Sequence, residues 1–131
     1  MDLKKYQDFV ESVTSECSNN TDALVERLQE LEQHDVNIAL LLTSSIGMVS
    51  EGGELQEIVK KLFFQGKPLT EDLVTHIQRE LGDVIFYWIN ACRAIGVSPE
   101  DVITGNYDKL SARYPQGFSV EKSENRKTGD I

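Results

Sequence analysis

The sequence predicts an all-α protein, a bundle of about five helices with two long antiparallel helices at its centre, and three observations predict it. Apolar residues recur at helical spacing along most of the chain. Capping residues and Gly/Pro stops divide that pattern into segments of helical length. No segment shows the apolar/polar alternation of a strand bounded by turn signals.

The elements follow in order. Leu3, Tyr6, Val10 and Val13 share one face of a short first helix, and Cys17 to Thr21 is a polar break. Asn20 or Thr21 caps a second helix carrying Leu24, Leu28 and Leu31, with Asp22 at its positive end. From Val36 a more apolar segment places Ile38, Leu41, Leu42, Ile46 and Val49 on a broad stripe. It continues through Glu51, Glu54 and Ile58 to about Phe63, where Gly66-Lys67-Pro68 stops it. Thr70 followed by Glu71 and Asp72 opens a fourth helix that runs to Ala94 and ends at Gly96. Ser98-Pro99-Glu100-Asp101 starts a fifth, which ends near Tyr114 at Pro115 and Gly117. Residues 1–118 therefore read as one domain and 119–131 as a polar, extended tail. Two long helices and three short ones make a thin core, so the apolar face from Ile38 to Val49 is expected to pack against another subunit.

The chain is acidic, with a net charge of −9 from 22 acidic and 13 basic residues. Such a surface repels a phosphate backbone and argues against nucleic-acid partners. No apolar run approaches the roughly 20 residues that cross a bilayer, and Met1 to Tyr6 lacks the layout of a signal peptide. The expected location is the cytoplasm. Cys17 and Cys92 have no metal-ligand spacing and read as reduced thiols.

Two segments share a pattern that carries chemistry. Glu51-Gly52-Gly53-Glu54 and Glu80-Leu81-Gly82-Asp83 each hold two acids three apart, next to glycine. Residues three apart are neighbours on one helix face. The segments lie on the two long helices, so their four carboxylates are expected to converge, and converging acids repel unless a cation joins them. Mg2+ or Mn2+ suits an all-oxygen ligand set and leaves positions for phosphate and water. Three glycines within helices are unfavourable by about 1 kcal/mol each, and they leave room for a helix or ligand to approach. A di-iron bundle would need Glu-x-x-His on two helices. Leu31 and Leu73 stand three residues before His34 and His76, so both histidines read as ordinary surface or packing residues.

"EGGELQEIVKK", "RELGDVIFYW" and "NYDKLSARYPQGF", in that order, resemble the MazG-type nucleotide pyrophosphohydrolases of the all-α NTP pyrophosphatase superfamily. The likeness covers nearly the whole chain and is greatest to small phage-encoded members, those of cyanophages above all. The resemblance implies Mg2+ bound by Glu51, Glu54, Glu80 and Asp83, and cleavage of a nucleoside triphosphate between its α and β phosphates to a monophosphate and pyrophosphate. It favours deoxynucleotides as substrates, a tetramer over a dimer, and the host cytoplasm as the location if the gene is a phage's. Ser50 stands where many members have a further Glu, which leaves the number of metal ions open.

Glu54 is assigned as catalytic base. Lys61, two turns beyond Glu54, is placed to reach a phosphate, and Tyr87 and Asn90 share the Asp83 face. The resemblance adds Tyr87 at the nucleotide and Asn106, Lys109 and Arg113 at the phosphates. Trp88 reads as a packing residue; Phe63 and Phe64 read first as packing residues and second as the border of a base pocket. The competing readings are a related hydrolase of dUTP, phosphoribosyl-ATP or ppGpp, and a non-catalytic helical oligomerisation module.

Overall fold

The structure is a computed structural model in which residues 2–125 are described. Among these residues there are seven helices and no strand: α1 (Leu3–Val13), α2 (Glu16–Asn19), α3 (Thr21–Leu31), α4 (Ile38–Phe64), α5 (Glu71–Ala94), α6 (Pro99–Arg113) and α7 (Val120–Glu124).

The long helices start where the capping chemistry places them. The Asn37 side chain accepts from the Leu40 amide at the start of α4, and Thr70 accepts from the Leu73 amide at the start of α5. Ser98 caps α6 with Pro99 at its first turn. Asn20, rather than Thr21, caps α3. Gly66 and Gly96 lie at φ of 67° and 69°, the left-handed conformation that lets a chain leave a helix at little steric cost.

Two short segments differ from expectation. The polar break contains a single helical turn, α2, with Ser15 at its N-cap position. The first part of the tail forms α7, capped by the Ser119 side chain, which accepts from the Lys122 amide. Residues 126–131 of the expected tail lie outside the described residues.

α4 and α5, of 27 and 24 residues, form the main interface of the chain. They are antiparallel: the Asn37 amide at the start of α4 donates to the Ala94 carbonyl at the end of α5 (2.8 Å). Small residues bring them close. Ser44 is fully buried, its hydroxyl donating to the Leu40 carbonyl (2.6 Å). Gly47 lies under the ring of Tyr87, so close that a Cβ there would overlap the ring.

Among the described residues the buried apolar side chains are few: Ile58, Leu73, Cys92 and Ala94. Leu42, Ile46 and Val49 on α4 and Leu81, Ile85 and Phe86 on α5 are all exposed. The protomer has 10633 Å² of accessible surface. That is about half as much again as the roughly 7,000 Å² expected of a compact monomer of this mass.

Candidate active site

The α4–α5 pair sets the acidic segments against each other. Spacing of three puts Glu51 and Glu54 on one face of α4, and the antiparallel crossing brings Glu80 of α5 to that face. A carboxylate oxygen from each of Glu51, Glu54 and Glu80 lies within 4.8 Å of the others. Glu80 is buried, Glu51 half-buried and Glu54 exposed. Asp83 is exposed and stands outside this trio, but its charge acts on Glu51.

The Glu51 carboxyl is raised above its ordinary pKa, first by loss of water and then by the charges of Glu54, Asp83 and Glu80. Loss of water and neighbouring acids without a countercharge act in the same direction. Three oxygen donors this close, with a fourth acid beside them, fit a hard divalent cation.

A histidine read from the sequence as an ordinary surface or packing residue joins this cluster. His76, one turn before Glu80 on α5, places Nε2 2.9 Å from Oε1 of Glu80. The i,i+4 spacing was a signal for this pair; searching for Glu-x-x-His missed it.

The other residues singled out from the sequence lie in several places. Lys61 pairs with Glu57 on its own helix (2.9 Å). That bond, followed by the charges of Lys61 and Lys60, holds the Glu57 carboxyl below its ordinary pKa. Tyr87 is half-buried over Gly47 and meets Phe86 edge to face at 5.2 Å. The Asn90 side chain accepts from Arg93 Nη1 (2.8 Å). Asn106 and Lys109 line a groove between α5 and α6 together with Trp88, Val102 and Ile103, so Trp88 borders open space as well as the packed interior. The Arg113 guanidinium lies 5.8 Å from the centre of the Tyr114 ring. Phe64 is highly exposed and borders a second groove with Gly53, Gln56 and Lys60, although packing was expected of it.

The glycines divide unexpectedly. Gly52, Gly53 and Gly82, beside the acids, have nothing within 4 Å of where a Cβ would stand. They mediate no close approach within the protomer, and that role falls to Gly47.

Fold and cluster together describe an all-α protein with a carboxylate site suited to a divalent cation. Comparison with known proteins makes this specific. The profile of the family described as "MazG nucleotide pyrophosphohydrolase domain" matches residues 42–118, which include both acidic segments. The chain is similar to "Gene 37 protein" of Mycobacterium phage L5, at 30% identity over 83 residues, covering 63% of this chain and 73% of that protein. No solved structure matches. The chain belongs to the MazG nucleotide pyrophosphohydrolase family, and it is an enzyme of that class. Among the described residues no helix is long and apolar enough to cross a membrane.

Proposed function

We propose that the protein hydrolyses nucleoside triphosphates, deoxynucleotides foremost, between the α and β phosphates, with Mg2+ or Mn2+ held by Glu51, Glu54, Glu80 and Asp83. The observation that carries this reading is the trio of acids from two antiparallel helices within 4.8 Å, in a chain of this family.

Bound there, the cation would neutralise phosphate charge and make water easier to deprotonate. The chain's own groups do the rest. Glu54 is the exposed acid of the trio and is assigned as the base, through a carboxylate oxygen free of direct metal contact. It takes a proton from the water whose oxygen bonds to the α phosphorus. The bond from that phosphorus to the bridging oxygen breaks, and the electron pair leaves with pyrophosphate. Lys109 and Arg113 are assigned to the charge of the phosphates. Lys61 and Asn106 are assigned to phosphate contacts as well, and Tyr87 and Asn90 to the rest of the nucleotide; Asn106 shares the α5–α6 groove with Lys109 and Trp88.

We assign the enzyme to the cytoplasm, the host's if it is phage-encoded, and to a homo-oligomer, a tetramer before a dimer. The exposed apolar faces of α4 and α5 and the large accessible area of the protomer support assembly. The net charge of −9 disfavours nucleic acid as a partner.

A panel of deoxynucleoside and ribonucleoside triphosphates, dUTP, phosphoribosyl-ATP and ppGpp tests the reading, each assayed with Mg2+ and with chelator. The expected result is a monophosphate and pyrophosphate from deoxynucleoside triphosphates, lost in chelator and restored by Mg2+ or Mn2+. Full activity in excess chelator would reject the metal reading, and preference for another member of the panel would reject the substrate.

A further inference from the structure

Glu80 is the most enclosed acid of the cluster, its side chain only 8% exposed. The last torsion of a glutamate is broad, so burial alone does not decide where its two oxygens point. His76 supplies the missing constraint. Its Nε2 lies 2.9 Å from Oε1 of Glu80, within hydrogen-bond length, across one turn of α5. The backbone of α5 fixes the distance between the two side chains, and an N–H turned onto one oxygen would fix the plane of the carboxylate and so aim the other. A lysine or arginine at the same place would bring a permanent positive charge to a site that must accept a cation, whereas an imidazole donates an N–H without one.

We propose that His76 is a positioning residue of the carboxylate site, and that its Nε2–H holds Glu80 in the orientation from which Glu80 binds the divalent cation. This rests on the reading of the four acids as the metal site. Ligating carboxylates are commonly held by hydrogen bonds of this kind, and their loss weakens metal binding by about 10- to 100-fold. The His76 side chain is 51% exposed, so truncating it leaves no cavity in the interior.

The test is Mn2+ binding to the full chain without nucleotide, followed by electron paramagnetic resonance of the free ion. His76→Ala is expected to weaken binding by about tenfold or more, with helicity by circular dichroism unchanged. His76→Gln, whose amide N–H can reach the same oxygen, is expected to recover most of that loss. In a Glu80→Gln background, His76→Ala should cost nothing further, because the two residues act as one unit. In turnover, the Mg2+ concentration for half-maximal rate should rise while the rate at saturating Mg2+ stays near wild type. Should the alanine variant unfold, His76→Phe, which keeps a ring and lacks the N–H, replaces it. Wild-type Mn2+ affinity in His76→Ala or His76→Phe overturns the positioning role alone. A loss that glutamine does not recover, or that persists without Glu80, also overturns it, since His76 would then act elsewhere. Absence of Mn2+ binding in the wild type itself overturns the metal site and the proposal together.

Discussion

Because Glu51 is partly withdrawn from water and held beside Glu54, Asp83 and Glu80, its carboxyl binds a proton more tightly in the folded chain than in the unfolded one. Between the unfolded pKa and the raised folded one, the folded state carries more protons, so stability falls as pH rises through that window. Above that window metal-free protein bears the full repulsion. Glu51→Gln should raise the thermal midpoint of metal-free protein at pH 7 and reduce the rise that Mg2+ produces in wild type; differential scanning fluorimetry with and without Mg2+ reads both. An unchanged midpoint in both conditions would remove Glu51 from the cluster. Asp83 makes a second test. It is exposed, so Asp83→Asn should leave the helices intact by circular dichroism while activity falls by orders of magnitude. At this scale the closeness of Glu51, Glu54 and Glu80 was legible, because i,i+3 spacing fixes a shared face whatever the tertiary structure, while Asp83 was expected in the group and stands outside the trio. The His76–Glu80 contact was less so, because it depends on which way two side chains turn. The partners of Lys61 and Asn90 were hidden for the same reason: Glu57 and Arg93 compete for them on their own helices.

Among the elements, α5 was legible from its cap at Thr70 and its stop at Gly96, and α4 from its stop at Gly66, since these residues act through local backbone chemistry; the Asn37 cap of α4 was not singled out. α2 and α7 were missed because four or five residues are too few to display a helical period. Gly47 was missed for a different reason. Nothing around it in sequence says that an aromatic ring from another helix lies across it. Gly47→Ala sets two effects against each other: about 1 kcal/mol gained in helix propensity, and overpacking against Tyr87 that typically costs about 1–3 kcal/mol. Because the overlap is with a ring confined between helices, net destabilisation by urea titration is expected. Gly52→Ala has open space around it in the protomer, and should stabilise the α4 helix by up to about 1 kcal/mol. A stabilised Gly47→Ala would show that the helices are farther apart than described.

For the molecule as a whole, the sequence announced a thin core, and the structure makes the shortage concrete: four buried apolar residues against exposed stripes on both long helices. Assembly would cover them. Light scattering is expected to give a mass about four times the 14.8 kDa of one chain, and Ile46→Glu, which puts a charge on the exposed α4 stripe, should reduce it. A monomer of wild-type protein would reject both the tetramer and the dimer. The preferred base was not legible, because base contacts come from grooves such as that of Trp88 and Asn106, whose shape no motif encodes. The bond that is cut defines the reaction, and hydrolysis in oxygen-18 water, with products read by mass spectrometry, identifies it. Attack at the α phosphorus gives one label per turnover, carried in the nucleoside monophosphate, with unlabelled pyrophosphate. Label in the pyrophosphate, or orthophosphate released with a nucleoside diphosphate, would contradict it.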